Sequence, residues 1–164
     1  MLNSIENWMT STWINHVVLG YAWTWPTLET LHFLGLSLLM GTLIIMDLRL
    51  IGFQRVIPLS AVHSLMPVAL FAFSINLITG LGFLFGDPRL YSGNWSFWAK
   101  MILVLLAGVN FIVYYLGVEP KLKTLDPMAA TPGLAKAVGV ASLLFWSGVL
   151  SFGRLLPYLG TGGG

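Results

Sequence analysis

Three histidines, six carboxylates and eight basic side chains carry most of the chemistry open to this chain of 164 residues, which has no cysteine. Without cysteine there is no disulfide, no thiolate metal site, no iron–sulfur cluster and no covalently attached c-type haem. His32 stands out because it lies six residues beyond Pro26 in an apolar run, about 9 Å along a helix at the usual rise. An ionisable group at that depth in a membrane is expensive and therefore points to function. Haem b needs an axial imidazole and no cysteine, which makes His32 its principal ligand. Lys100 and Arg154 fall in the same leaflet if successive helices alternate in direction, and Arg89 lies in the connection on that side. Basic groups there suit pairing with haem propionates. Gly35, Gly80, Gly82 and Gly86 remove side-chain volume near the histidine and would let a flat macrocycle approach the helix backbones. Glu29, one turn before His32, is placed to orient the imidazole or to act as a ligand. His16, on the mostly apolar stripe of the first 25 residues, is the first candidate for a second axial ligand.

Other chemistries compete. Copper or another mononuclear metal can be built from His32 and Glu29, with His16 or Asp87; Met9 and Met40 are the nearest thioethers in sequence. Alternatively, His32 only hydrogen-bonds a neighbouring helix in a purely structural subunit. Glu29-x-x-His32 has the spacing of carboxylate-bridged di-iron bundles, but those need the motif on two helices and it occurs once. No Ser–His–Asp arrangement or nucleotide-binding loop can be assembled, so no catalytic residue is assigned. His63 opens the second span on the opposite face of the membrane and reads as an interfacial residue.

The elements that position these groups follow from composition. Hydrophobic residues make up 57% of the chain and charged residues 9%, against about 25% charged in soluble domains. The mean hydropathy is +0.84. So small a chain cannot hide that apolar surface in a core of its own, so the excess faces lipid. Nucleic-acid binding is excluded, since the net charge is only +2. Four apolar runs, 26–50, 61–86, 97–119 and 134–157, each exceed the roughly 20 residues a membrane helix needs. None alternates with period two, as a β-barrel strand would. The fold expected is all-α, a compact up-down-up-down transmembrane bundle over residues 26–160. Residues 1–25 read as an amphipathic interfacial helix, with Asn3 and Glu6 imitating a capping box, followed by an aromatic belt of Tyr21, Trp23 and Trp25. Residues 161–164 read as a frayed tail.

Ser96 suits the cap of the third span. Asp47, Arg49 and Arg55 read as a charged corner closed by a local ion pair. Asn76 and Asn110, near the middles of the second and third spans, should pair with each other or with backbone carbonyls.

The segments His32-Phe-Leu-Gly35, Gly41, Asp47-Leu-Arg-Leu50 with Gly52, Thr79-Gly80, and Tyr91, Asn94, Phe97, Lys100 and Asn110 resemble a family of small bacterial inner-membrane proteins. That family is similar to copper-resistance D-type and cytochrome b-type four-helix proteins, and the resemblance covers about residues 25 to 115. It implies haem- or copper-linked membrane redox chemistry. Many members carry a histidine one turn after the position of Asn110, where this chain has Tyr114 and Tyr115. The function expected is a haem-b-binding electron-transfer protein, a homo-oligomer whose partner is quinone or a periplasmic redox protein. The alternative is a copper-handling protein without haem.

Five of the eight basic residues, Arg49, Arg55, Lys121, Lys123 and Lys136, flank the first and third connections. The positive-inside bias then puts both termini in the periplasm of a bacterial inner membrane. A periplasm-dependent reporter fused after Gly164 should be active; activity of a cytoplasm-dependent reporter there would reverse the topology.

Overall fold

A computed structural model describes residues 2–53 and 55–159. Among them there are only helices. In chain order these are α1 (Leu2–Thr10), α2 (Trp13–Gly20), α3 (Thr24–Ile51), α4 (Leu59–Gly86), α5 (Pro88–Ser92), α6 (Trp95–Val113), a π-helical turn (Tyr114–Val118), α7 (Glu119–Leu122) and α8 (Gly133–Leu159). The helices α3, α4, the α6-to-α7 run and α8 are each long and apolar enough to cross a bilayer. This is an integral membrane protein with lipid-facing helices. The spans begin one or two residues earlier than hydropathy indicates, because polar caps and aromatic residues extend the helices into the interface.

The amino-terminal segment is two helices rather than one. Thr12 ends the first by donating from its hydroxyl to Met9 O at 2.6 Å, and caps the second by accepting from Asn15 N at 3.5 Å. Asn3 lies inside α1 and not at a capping position. Glu6 instead accepts a hydrogen bond from the Ser92 hydroxyl and ties α1 to α5. The apolar stripe of α2 faces outward: Trp13 is 72% exposed, while Asn15 and Val18 are the buried residues. Asn15 Nδ2 donates to Phe85 O at 2.7 Å and to Gly86 O at 3.3 Å, docking α2 on the unpaired carbonyls that end α4. Asn94, not Ser96, caps α6, accepting from Ser96 N at 2.9 Å and donating to Leu156 O at 2.8 Å. Asn94 has the better reach because it also bridges to α8. The tail at 161–164 lies outside the described residues.

The four spans form the expected helical bundle, drawn out into an arc. Packing runs from α4 to α3, from α3 to α8 and from α8 to α6; among the described residues no substantial interface joins α4 to α6. Glycine permits the tight contacts. A Cβ at Gly35 would lie 2.8 Å from Asn76 Nδ2, and one at Gly139 would lie 3.1 Å from Asp47 O. The two mid-span amides bond backbone carbonyls. Asn76 Nδ2 donates to Ala72 O on its own helix at 3.0 Å, and Asn110 Nδ2 donates to Val138 O on α8 at 3.1 Å.

The expected ion pair at the inner corner is absent among the described residues. Asp47 and Arg49 are two residues apart on α3, and such positions face opposite sides of a helix. Arg49 is fully buried. Its Nε donates to Ile57 O, its Nη1 to Thr131 Oγ1 at 3.1 Å, and its Nη2 to Pro127 O and Ala129 O, each at 3.3 Å. Arg55 turns back on Gly52 O at 3.2 Å. Gly52 ends α3 with φ 93°, and its N–H bonds Leu48 O and Arg49 O in a left-handed cap. One guanidinium therefore joins the loop after α3 to the loop before α8. Arg49→Met strands its buried carbonyl acceptors and should cost about 3 kcal/mol. Arg49→Lys should lose nearly as much, because a single ammonium cannot span the same acceptors. Unfolding midpoints in detergent check both; an unchanged midpoint for either variant contradicts this role for Arg49.

Candidate functional site

Two places in the helix arc bring polar groups together inside the apolar span. The first is at His32. Its Nδ1 lies 2.7 Å from Thr79 Oγ1 on α4. The Thr79 hydroxyl proton is directed to Ile75 O at 2.7 Å, so the oxygen accepts from Nδ1–H. Nε2 of the neutral ring then carries a lone pair, with no hydrogen-bond partner among the described residues. Phe83 packs edge-on against the imidazole, with ring centroids 5.3 Å apart. A Cβ at Gly80 would sit 3.8 Å from His32 Cε1, so the small residue is matched to the ring. Lys100 on α6 packs against α8, where its Nζ would lie 3.7 Å from a Cβ at Gly153.

The other expected partners are placed elsewhere. His16 is exposed on the outward face of α2. Glu29 is exposed and accepts from Trp25 Nε1 at 3.0 Å, so it is committed to the aromatic belt. Arg154 is exposed and lies over the Tyr158 ring at 5.8 Å; Arg89 is exposed as well. Gly35 faces Asn76 and Ile75, Gly82 faces Leu28, and Gly86 faces Trp25 and Val18. Each glycine of the α4 seam is thus met by a side chain of α2 or α3, Gly80 by His32 itself. Among the described residues, no three histidine or carboxylate side chains gather as a metal site. Of the expected constellation, Gly80 lies beside His32, and Lys100 lies against Gly153 of α8.

The second place lies in the half of the span opposite to His32. A cavity of about 290 Å³ is lined by side chains of α3, α4, α6 and α8, among them Asp47, Asn110, Tyr114, Ser142 and the rings of Phe73 and Trp146. Asp47 and Tyr114 are each 4% exposed, and Asp47 Oδ2 and the Tyr114 hydroxyl have no hydrogen-bond partner. Tyr114 opens the π-helical turn, in which Glu119 N bonds Tyr114 O. Pro120 accounts for the turn: it has no N–H for the carbonyl of Leu116 and its ring crowds that oxygen, so the helix widens just before it. Below the cavity, Glu119 Oε1 lies 2.8 Å from Lys123 Nζ and 3.6 Å from His63 Nδ1. His63 is therefore beside a carboxylate at the inner edge, in keeping with its interfacial position. Hydropathy and motif spacing hide this cavity. Its one sequence signal is a pair of polar residues, Asn110 and Tyr114, four apart in the third span.

Fold and sites together define a small helical membrane protein with polar groups enclosed at two depths. The chain belongs to a family of unknown function (DUF6644), whose model matches residues 5–159. No curated protein and no solved structure matches it.

At the end of the bundle that carries α1 and α2, burial, then Asp87 and Glu29, push the Tyr91 phenol up to about 12. Folded Tyr91 keeps its proton where an unfolded tyrosine, near 10, loses it. Stability present below pH 10 is consequently lost as pH rises from 10 to 12. Tyr91→Phe should flatten that decline in alkaline unfolding curves; an identical slope in variant and parent would contradict the placement.

Proposed function

We propose that the protein is a membrane redox protein that holds haem b on His32, in the half of the span nearer its amino-terminal helices. The observation that carries this reading is the Nδ1–H bond to Thr79, which fixes the imidazole and leaves Nε2 free to coordinate. This is the arrangement that ligating histidines share. Lys100, near the start of α6, supplies a positive group for a propionate, and Gly80 presents no side chain to the ring. The likeness of the His32, Asp47-Leu-Arg and Thr79-Gly80 segments to cytochrome b-type four-helix proteins supports the same chemistry. Bound haem supplies a one-electron couple at iron, and the protein's residues hold it and set its surroundings. His32 is the single axial ligand in this reading, since His16 faces outward. Copper handling has less support, because Glu29 is bonded to Trp25.

The reading extends to a bacterial inner membrane with both termini periplasmic, on the distribution of basic residues. Quinone or a periplasmic protein is the electron partner, and broad lipid-facing surfaces on α4 and α6 suit a homo-oligomer. Protein purified from haem-replete cells should be red, with a Soret band that sharpens on reduction. His32→Ala should lose the band, whereas His16→Ala should leave it unchanged. A colourless, haem-free preparation overturns the proposal, and metal analysis of the same sample then separates copper from no metal.

A further inference from the structure

Asp47 is a carboxyl group set in the wall of an apolar cavity with no positive partner. Its nearest basic residue in sequence, Arg49, spends its N–H groups on loop acceptors on the opposite side of α3. Arg55 bonds Gly52 O, and the ion pairs formed among the described residues involve only His63, Lys123 and Glu119. Buried charges and polar groups are ordinarily matched inside a protein. Here Asp47 Oδ2 and the neighbouring Tyr114 hydroxyl are both buried and unmatched, and both line the same 290 Å³ space. The remaining wall is aliphatic and aromatic, with Phe73, Phe111 and Trp146 presenting rings. α4 and α6, at the two ends of the arc, supply facing sides of the cavity without a substantial interface between them among the described residues. Leu70 of α4 and Gly108 of α6 line the cavity and are exposed, so it opens on that side.

We infer that this cavity binds a monovalent hydrophobic cation, an organic amine or onium with an apolar body, which comes from the bilayer between α4 and α6 and takes Asp47 as its counter-ion. The carboxylate supplies the charge that a neutral apolar cavity would lack. Aromatic faces add the attraction of ring quadrupoles for a desolvated cation. The lipid-facing opening lets the apolar body transfer from hydrocarbon to protein without crossing water. Ligands of this class are distinguished from other lipophiles by charge sign, which the Asp47 position decides.

The test uses the full chain in lipid nanodiscs with radiolabelled tetraphenylphosphonium, and tetraphenylborate as an anion of the same shape. The cation should bind saturably at one site per chain, and the anion should not compete. Asp47→Asn should weaken cation binding at least tenfold while the unfolding midpoint holds. Gly108→Phe offers a second route. Gly108 lines the cavity, is exposed, and a Cβ there meets nothing within 4 Å, so a ring should obstruct the opening without strain and also reduce binding tenfold. Equal binding of both ions, or cation binding that survives both substitutions, overturns the inference. His32→Ala should leave cation binding intact, so loss of haem and loss of this site are read separately.

Discussion

A guanidinium with no carboxylate partner holds together the end of the molecule away from its amino-terminal helices. Arg49 is completely buried, yet every group it bonds is neutral: the carbonyls of Ile57, Pro127 and Ala129 and the hydroxyl of Thr131. Desolvating such a charge is costly, and the cost is met only if most of its five N–H donors find acceptors. Arginine suits this because its fork is planar and rigid, so fixing one bond largely fixes the others. The loop carbonyls gain as well, since irregular backbone at a membrane surface has few internal partners of its own. Leu59 N, bonded to Pro127 O at 2.8 Å, continues the same joint into the start of α4. Three spans are brought into register by one side chain.

That constraint shapes the cavity. With Arg49 turned toward the loops, Asp47 on the other side of α3 is left facing the interior without a counter-charge. Gly139 brings α8 against the backbone of Asp47 and Leu50, while α4 leans on the other flank of α3. The result is an arc with α3 and α8 at its centre and α4 and α6 at its ends. At the outer end the gap is bridged differently. There α2 docks on the end of α4 through Asn15, and α1 reaches α5 through Glu6 and Ser92. The two ends of the span are thus tied by different contacts, and the 290 Å³ cavity lies in the half away from the amino-terminal helices.

Much of this architecture was legible in the sequence. Four spans, their approximate limits and the amphipathic amino-terminal segment follow from apolar run length and periodicity, and these are properties of the chain itself. Backbone partners for Asn76 and Asn110 follow from the absence of water. The break at Ser11-Thr12 was harder to see, because a threonine serves equally well inside a stripe and as a cap. The ion pair at Asp47 and Arg49 was misjudged from adjacency in sequence, although a two-residue step on a helix separates side chains. Convergence at His32 was partly readable: Gly80 meets it, but Lys100, Glu29 and Gly35 turn to other neighbours and His16 faces outward, because helix rotation is set by packing. Nothing in one sequence reveals that α4 and α6 fail to pack, so the cavity was not legible. Its polar residues looked like isolated mid-span amides and tyrosines.

The widened turn at Tyr114–Val118 has a mechanical meaning. An α-helix transmits rotation along its length through a continuous ladder of bonds, whereas a π-helical turn interrupts the ladder with one extra residue. The stretch Glu119–Leu122 beyond it is therefore re-aimed relative to the helix above, while Leu122 stays in the core. Glu119, held to Lys123 and beside His63, lies on one side of that offset, and the enclosed Tyr114 phenol on the other. One inserted residue thus sets how a rim carboxylate and a cavity hydroxyl are presented from a single span.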